Sequence, residues 1–375
     1  MKLSIPKAAL NETLARLLGV AEKRVTVPIL ANILLDVPEA EKPAEGKIRL
    51  GATDMDMEIS EWLPAHVKRH GTITVPAHTL AQICKKIGSD LVEITRKEDR
   101  IEITGGGAKF VLGTLPAEDF PELQDEKAAE CHIRMDSEEF RKMLDAVKGA
   151  QSKEETRYYL CGVHLHSSSE NPDNEIIAVA TDGHRLAYCS SPIIDITGDL
   201  PPVIIPSKAV TEMRRIVDKP AGEIELVICA ARAQLRCGNV TMKTKLIDGM
   251  FPDYARIVPL ETAETIRFEV ATVPFREAVE RVGTVLDKSN GVKLSFSDGK
   301  LGLHVNGVDI GQADDEIDCT GAGKIDIGFN AHFLAEMTGH FPGAFTIAMT
   351  DPASAAKITA EDNPDIYYVL MPMRV

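Results

Sequence analysis

Apolar positions along the chain follow one pattern that recurs three times: a short strand of alternating polarity, then a helix with one apolar side. The strands are Leu3-Ser4-Ile5, Ile133-Arg134-Met135 and Ile266-Arg267-Phe268. In the segment after each strand, apolar residues are spaced i, i+4, i+7, which puts them on one side of an α-helix. These residues are Leu10, Leu14 and Leu17, then Phe140, Leu144 and Val147, then Phe275, Val279 and Val282.

A second strand-and-helix pattern recurs at the same interval, with apolar residues spaced i, i+3, i+7. Its three copies are Leu80, Ile83 and Ile87, then Val210, Met213 and Val217, then Leu334, Met337 and Phe341. The first two copies follow Val75-Pro76 and Ile205-Pro206, and proline suits the opening turn of a helix. The third copy follows Asn330, a good N-cap residue.

Two short sequence motifs also repeat, at nearly the same interval as these helices. Ala52-Thr53-Asp54 returns as Ala180-Thr181-Asp182, and Phe120-Pro121-Glu122 returns as Phe251-Pro252-Asp253. The third copy lacks both words, so its membership depends on the helix pattern and on its length. Because two words and two helix patterns share one interval, the sequence predicts an internal duplication.

Most of the remaining chain alternates or is continuously apolar, as strands are. One example is the pair of runs around Gly105-Gly106-Gly107, which predicts a hairpin. Each repeat therefore predicts an α+β domain with two helices packed on an antiparallel sheet. The interval between equivalent positions, such as the 130 residues from Leu10 to Phe140, is far longer than the roughly 20–50 residues of a solenoid repeat. We expect three tandem copies of one domain, with bounds 1–130, 131–263 and 264–375.

Composition narrows the class of protein. The chain has 375 residues, 44% hydrophobic and 26% charged, as expected of a water-soluble globular protein. No apolar run approaches the roughly 18 residues of a membrane span, and residues 1–10 lack the apolar core of a signal peptide. We therefore expect a cytoplasmic protein. Its seven scattered cysteines contain no CxxC pair, which favours buried free thiols over a zinc site.

The net charge of -15 argues against a nucleic-acid binder that depends on neutralising phosphates. It leaves room for a local basic stripe, and Lys and Arg do concentrate on the predicted helices. An alternative interpretation is that such residues simply solvate exposed helix faces. The residues concerned are Arg16, Lys23, Arg24, Lys85, Lys86, Arg141, Lys142, Lys148, Lys208, Arg214, Arg215, Arg276 and Arg281.

Motifs that carry catalysis or phosphate binding are missing from the sequence, which lowers the expectation of an enzyme. Asp54, Asp56 and Glu58 alternate and offer oxygen ligands for Mg²⁺, although a solvated strand face is the better interpretation. His164 and His166 also alternate, but no third ligand lies nearby in sequence. We expect no cofactor and no metal.

Several motifs resemble the bacterial DNA polymerase III β subunit family, the sliding clamps. They are Thr26-Val27-Pro28-Ile29-Leu30, Arg157-Tyr158-Tyr159-Leu160, Thr181-Asp182-Gly183-His184-Arg185-Leu186, Phe251-Pro252-Asp253-Tyr254 and the terminal Val369-Leu370-Met371-Pro372-Met373-Arg374-Val375. They are spread over essentially the whole chain.

The resemblance implies a non-catalytic processivity factor: a head-to-tail homodimeric ring of six clamp domains that encircles duplex DNA. It implies as partners the replicative polymerase α subunit, the clamp loader, and other polymerases and repair proteins that carry short peptide motifs. A closed ring holds DNA by topology, and weak phosphate binding then favours sliding. An acidic protein with a mildly basic helical face suits that task.

The resemblance also assigns site residues. The implied partner-peptide cleft comprises Leu160, Thr181, Gly183, His184, Arg185, Leu186, Pro252, Arg256, Ile257, Asn330, Ser354, Val369, Leu370, Met371, Pro372, Met373 and Arg374. The implied DNA contacts are Arg24, Tyr158 and Tyr159, whereas His78 and Glu154 depart from the family pattern. The implied dimer contacts are Phe110 and Leu112 against Val285 and Leu286.

Two other functions stay open at this level. One is a monomeric adaptor that uses the peptide cleft without encircling DNA. The other is a metal-dependent enzyme built on Asp54, Asp56 and Glu58. Core packing is an alternative role for Tyr158 and Tyr159, and for the four predicted dimer contacts.

Overall fold

A computed structural model describes residues 1–23, 26–39, 46–123, 131–168, 171, 174–218, 222–287, 290–297, 299–307 and 310–375. These residues form two compact units. The first comprises 1–141, 193–201 and 208–246, and the second comprises 142–192, 202–207 and 247–375.

The first unit contains two antiparallel sheets. The smaller has the strand order β5-β1-β7-β8-β9, so β9 is an edge strand. The larger has nine strands in the order β14-β10-β16-β17-β18-β4-β3-β2-β6. The strands of this unit are β1 Lys2–Pro6, β2 Asn32–Val37, β3 Lys47–Thr53, β4 Met57–Pro64, β5 His66–Arg69, β6 Gly71–Pro76, β7 Leu91–Lys97, β8 Arg100–Gly105, β9 Ala108–Gly113, β10 Cys131–Asp136, β14 Asp195–Thr197, β16 Glu223–Ile228, β17 Arg232–Cys237 and β18 Val240–Lys245.

The second unit also contains a nine-stranded and a smaller sheet. Their orders are β15-β11-β12-β13-β27-β26-β25-β19-β23 and β22-β21-β20-β24, which makes β22 an edge strand. The strands are β11 Gly162–Ser167, β12 Glu175–Thr181, β13 Arg185–Pro192, β15 Val203–Pro206, β19 Ile266–Ala271, β20 Gly291–Ser297, β21 Lys300–Gly307, β22 Gly311–Asp318, β23 Thr320–Gly321, β24 Lys324–Asn330, β25 Ala344–Met349, β26 Ala356–Thr359 and β27 Ile366–Leu370.

The predicted helix positions are confirmed. The α-helices are α1 Lys7–Leu17, α2 Ala77–Lys86, α3 Ser137–Val147, α4 Ser207–Ile216, α5 Thr272–Val282 and α6 Ala331–Thr338. Every apolar residue of the six predicted patterns is at most 7% exposed. Ile87, Val217 and Phe341 lie just beyond their helices but are buried too. The Asn330 side chain caps α6 by accepting hydrogen bonds from the backbone of His332 and Phe333.

The predicted glycine hairpin is confirmed as the β8–β9 turn. Gly106 and Gly107 have φ of +57° and +82°, a region that favours glycine. This turn aligns β9 so that Phe110 lies opposite Ile103.

Each nine-stranded sheet is completed by pairing between strands distant in sequence. In the first unit, β4 pairs with β18, with Ile59 opposite Met242. In the second unit, β13 pairs with β27, with Leu186 opposite Val369. Such pairing satisfies backbone groups that an open sheet edge would leave unpaired. It also brings the start of β13 beside the end of β27, where the predicted cleft residues lie.

Five of the seven cysteines are buried, Cys161 and Cys229 are partly exposed, and all seven are free. No described helix combines the length and apolar character that a membrane span requires.

Candidate functional site

An apolar cluster in the second unit, here called the cleft floor, joins strands β12, β13, β15 and β27 with the 3₁₀ helix Glu155–Leu160 and the segment after residue 246. Its buried members are Leu160, Ile177, Val179, Leu186, Ile204, Phe251 and Val369. Half-buried side chains pack around it: Tyr159, Tyr188, Ile247, Tyr254, Val258, Ala355 and Tyr367.

The predicted cleft residues divide by exposure. Thr181 and Leu370 are buried, as are three members of the cleft floor: Leu160, Leu186 and Val369. Half-buried positions are Arg185, Asn330, Pro372 and Met373. Exposed positions are Gly183, His184, Pro252, Arg256, Ile257, Ser354, Met371 and Arg374. The set thus contains a buried apolar base and accessible side chains, among which Ile257 and Met371 are 48% and 45% exposed.

A tight turn between β12 and β13 presents His184 to solvent. Thr181 Oγ1 donates to the carbonyl of Arg185 at 2.6 Å and accepts from the backbone N–H of Gly183. Asp182 Oδ1 accepts from the backbone N–H groups of His184 and Arg185. Gly183 has φ of +90°, so this turn requires a residue without a β-carbon.

The guanidinium of Arg185 is held within the protein. It pairs with Asp182 at 3.1 Å and Glu336 at 2.7 Å, and it donates to the carbonyl of Gly149. Its central carbon lies 4.1 Å from the ring centroid of Phe333. Only 9% of its side chain is exposed. Arg185 therefore braces the turn that presents His184 to solvent.

The C-terminal segment runs along the same turn. The Met371 N–H donates to the carbonyl of His184 at 2.9 Å, and the Met373 N–H donates to that of Gly328 at 2.8 Å. These bonds leave the Met371 side chain in solvent beside the turn. Methionine is flexible and suits a surface that accepts varied apolar groups.

The segment Phe251–Ile257 forms the other predicted part of the cleft. Phe251 is 8% exposed and belongs to the cleft floor, whereas Ile257 is open to solvent. Residues Tyr254–Ile257 form one 3₁₀ turn, and Arg256 pairs with Asp253 at 2.8 Å across it.

Two histidines of β11 contact this segment, a role that the sequence did not predict. The ring of His164 stacks on Phe251 with centroids 4.7 Å apart, and His166 Nε2 lies 2.9 Å from the Tyr254 hydroxyl. Burial lowers the pKa of His164 to about 4, with His166 contributing further, so the stacked ring is neutral near pH 7. The alternation of these histidines was the available signal, but their partners are aromatic residues about 90 residues later in the chain.

Two of the three predicted DNA contacts, Tyr158 and Tyr159, lie in a 3₁₀ helix, Glu155–Leu160. Tyr158 is 53% exposed, Tyr159 is half-buried, and their rings meet edge to face at 5.7 Å. Glu154 pairs with Arg157 at 2.5 Å, and hydrogen bonds from Thr156 and Arg157 lower its pKa. The negative charge of Glu154, which by itself would repel phosphate, is thereby offset by a neighbouring cation.

Arg24 and His78 are the remaining positions of the family's DNA-contact pattern. Arg24 lies outside the described residues. His78 does not extend freely into solvent, because its Nε2 lies 3.1 Å from the carbonyl of Ala21.

The predicted basic helix face is partly neutralised. Arg16 forms two hydrogen bonds to the buried Glu61, and Arg215 pairs with Glu212 at 2.6 Å. Lys85 and Lys86 at the end of α2 are exposed. The face therefore offers phosphates fewer free cations than the sequence count indicates.

The acidic residues considered for a metal site are each engaged by a cation. Asp54 pairs with Lys208 at 2.5 Å, Asp56 with Lys245 at 2.8 Å, and the buried Glu58 with Arg49. The expectation that these three residues lie on one solvated strand face is wrong. Asp54 and Asp56 lie in the β3–β4 turn, and Glu58 is 3% exposed. No group of three or more metal-ligating side chains occurs among the described residues.

The predicted dimer contacts lie on a sheet edge in the first unit and directly after a helix in the second. Phe110 and Leu112 are half-buried on the edge strand β9. Val285 and Leu286 are half-buried at the end of α5, where the backbone of Val285 approaches Gly307 in β21. Apolar side chains that remain partly exposed at such positions are available for contact with another chain.

Fold and site together define a binding protein of the clamp type: α+β repeats that carry an apolar cluster bordered by accessible side chains. Three family models match the chain in succession: the DNA polymerase III beta subunit N-terminal domain at 1–124, its central domain at 134–253 and its C-terminal domain at 255–374. Beta sliding clamps from Caulobacter vibrioides and Escherichia coli K12 are 37% and 30% identical to it, with full coverage of both chains.

Solved structures agree over the same extent. A beta sliding clamp from Caulobacter crescentus matches with a TM-score of 0.91 at 36% identity, covering all of both chains. A sliding clamp from Bartonella birtlesii bound to griselimycin matches with a TM-score of 0.91 at 33% identity, also over all of both chains. The chain belongs to the DNA polymerase III beta subunit family, the bacterial sliding clamps. Proteins of this family are processivity factors without catalytic chemistry of their own.

Proposed function

We propose that this protein acts as a head-to-tail homodimeric ring that encircles duplex DNA and tethers the replicative polymerase for processive synthesis. The observation that supports this most strongly is the end-to-end agreement with all three clamp domain models. We also propose that the domains are bounded at 1–130, 131–263 and 264–375. Ring closure would bring Phe110 and Leu112 of one protomer against Val285 and Leu286 of the other.

The ring is tested by charge at the proposed interface. Replacing Val285 and Leu286 together by Asp should convert the dimer into monomers, because a charge buried in an apolar contact is costly. The matched control is Val273→Asp, since Val273 on α5 is 59% exposed. Mass is measured by sedimentation at micromolar concentration, and rings are sought by negative-stain electron microscopy. A dimer that survives the double substitution argues against this interface, and a monomeric wild type favours the adaptor.

We infer that DNA is held mainly by topology, with Arg24, Tyr158 and Tyr159 as contacts. The formal charge of -15 and the ion pairs on the helices favour weak phosphate binding. Tyr158→Ala should therefore reduce processive synthesis while leaving the dimer intact. The matched control, Trp62→Ala, removes an aromatic side chain that is 39% exposed in the first unit and outside the cleft floor. Equal loss of processivity in both variants, with both folded, would contradict the assignment of Tyr158.

We infer that the cleft accepts short peptides from the polymerase α subunit, the clamp loader, and other polymerases and repair proteins. Griselimycin, which is bound by the Bartonella birtlesii relative, is a convenient probe. Deleting Met371–Val375 should weaken its binding by about tenfold or more, because the accessible apolar wall is lost. A single-residue test compares the affinity of Met371→Ala with that of the control Met55→Ala, since these methionines are 45% and 49% exposed. Unchanged affinity in a folded deletion variant would refute the cleft assignment.

A further inference from the structure

Residues 248–260 cross the cleft floor with very little backbone anchorage. The last bond before them joins the Ile247 N–H to the carbonyl of Ile204 at 2.9 Å. Within the described ranges, no backbone hydrogen bond connects 248–260 to another segment. Yet this stretch carries Pro252, Arg256 and Ile257, which are three of the proposed cleft residues. Their position must therefore depend on side chains.

One side-chain hydrogen bond joins this stretch to the rest of the described chain, and it links Tyr254 to His166. His166 Nε2 lies 2.9 Å from the Tyr254 hydroxyl, while its Nδ1 lies 2.8 Å from the carbonyl of Ser167. A carbonyl only accepts, so Nδ1 carries the proton. Nε2 of the neutral ring is then the acceptor, and the Tyr254 hydroxyl donates to it. Both edges of the imidazole are thereby satisfied, which fixes its orientation.

The neighbouring His164 also packs against the crossing stretch, and it does so as a neutral ring near pH 7. His164 stacks nearly parallel on Phe251, with an interplanar angle of 8°, and its centroid lies 5.1 Å from that of His166. Its own Nδ1 is 3.1 Å from the carbonyl of Val203, which fixes that ring as well. Two residues that alternate on one strand thus hold two aromatic residues of the crossing stretch.

We propose that His166 is a positioning residue of the peptide cleft, acting through the Tyr254 hydroxyl to hold the Pro252–Ile257 wall against the cleft floor. The proposal rests on the proposed peptide-binding function for its consequence, but the anchorage itself is a property of the ligand-free protein. The aromatic packing of Phe251 sets where the stretch lies. The His166–Tyr254 bond sets how the following turn is oriented.

The first test is a double-mutant cycle on the full-length protein, with griselimycin as the probe. His166→Ala and Tyr254→Phe should each weaken binding by about two- to tenfold, the range of one net hydrogen bond. The double variant should bind about as weakly as the weaker single variant, because both changes remove the same bond. His304→Ala is the matched control, since it removes a second-unit histidine that lies 2.6 Å from Asp314 and is not part of the cleft floor, and it should bind as the wild type does. His166→Gln, whose amide can still accept from Tyr254, should recover most of the affinity.

The outcomes separate cleanly. Multiplied effects in the double variant, or full affinity in both single variants, would overturn the proposal. The second measurement is amide hydrogen exchange of residues 248–260 without any ligand. Exchange should accelerate in His166→Ala and Tyr254→Phe but not in His304→Ala, and equal exchange in the wild type and all three variants would overturn the anchorage. If the wild type fails to bind griselimycin, the cleft assignment loses its support, whereas the exchange data still decide the role of His166.

Discussion

The stacked histidine of β11 makes stability depend on pH in a way that one substitution should remove. Burial lowers the pKa of His164 to about 4, against 6.5 for an ordinary histidine. Above pH 6.5 the ring is neutral in both the folded and the unfolded chain. Below that value the unfolded chain takes up a proton that the folded chain refuses, so stability falls as the pH falls. The loss develops between pH 6.5 and pH 4 and is complete below that.

The magnitude follows from the size of the shift. The full difference corresponds to about 3 kcal/mol, since one pKa unit is worth about 1.4 kcal/mol. At pH 5 the unfolded histidine is almost fully protonated and the folded one mostly neutral. The wild type should therefore lose about 2 kcal/mol between pH 8 and pH 5 from this residue alone. His164→Leu cannot titrate and should lose correspondingly less, whatever its absolute stability.

The assay is chemical denaturation at pH 8 and pH 5, at one protein concentration because dimerisation adds to apparent stability. The quantity compared is the change in unfolding free energy between the two pH values, which cancels any packing effect of leucine. The same substitution at the exposed His66 is the control and should behave as the wild type does. Equal losses in the wild type and His164→Leu would refute the reasoning. The groups facing His164 are His166 and the carbonyl of Val203, so the comparison is not dominated by a nearby carboxylate.

Two further predictions concern residues outside the cleft. Arg16→Met should destabilise the protein by about 3–5 kcal/mol in urea denaturation, because it leaves the carboxylate of Glu61 buried without its charged partner. Adding Glu61→Leu should recover part of that loss, and a harmless Arg16→Met would contradict the account. At pH 8 a water-soluble disulfide reagent should modify at most Cys161 and Cys229 rapidly, since the other cysteines are buried and burial raises the pKa of Cys84 to about 12. Rapid reaction of more than two thiols before denaturant is added would be inconsistent with the structure.

Helices and strands could be predicted well from local pattern alone. The positions of Leu10, Leu14 and Leu17 on one side of α1 follow from the geometry of a helix with one buried side. The same holds for the Asn330 cap, which needs only its own side chain and the next two backbone N–H groups. These features depend on neighbours within one or two turns, so the sequence contains all the information that they need.

The contacts of charged and polar side chains were harder to predict, because their partners are distant in sequence. Arg16 was predicted as part of a basic face, but it forms a partly buried ion pair with Glu61. Arg185 was predicted as a cleft residue, and the contacts of its guanidinium with Glu336 and Phe333 could not be predicted from the sequence. A charge is placed wherever an opposite charge or a carbonyl is available in three dimensions, and no spacing rule identifies that partner.

The amino-acid sequence by itself determined the repeated α+β domain, the places of its helices and the family to which the chain belongs, since periodic burial and local words carry that information. Tertiary structure decided which strands complete each large sheet, because backbone hydrogen bonds are nearly independent of side-chain identity. It also decided what the histidines of β11 do. Alternation put His164 and His166 on one face, but only the folded chain brings Phe251 and Tyr254 to them.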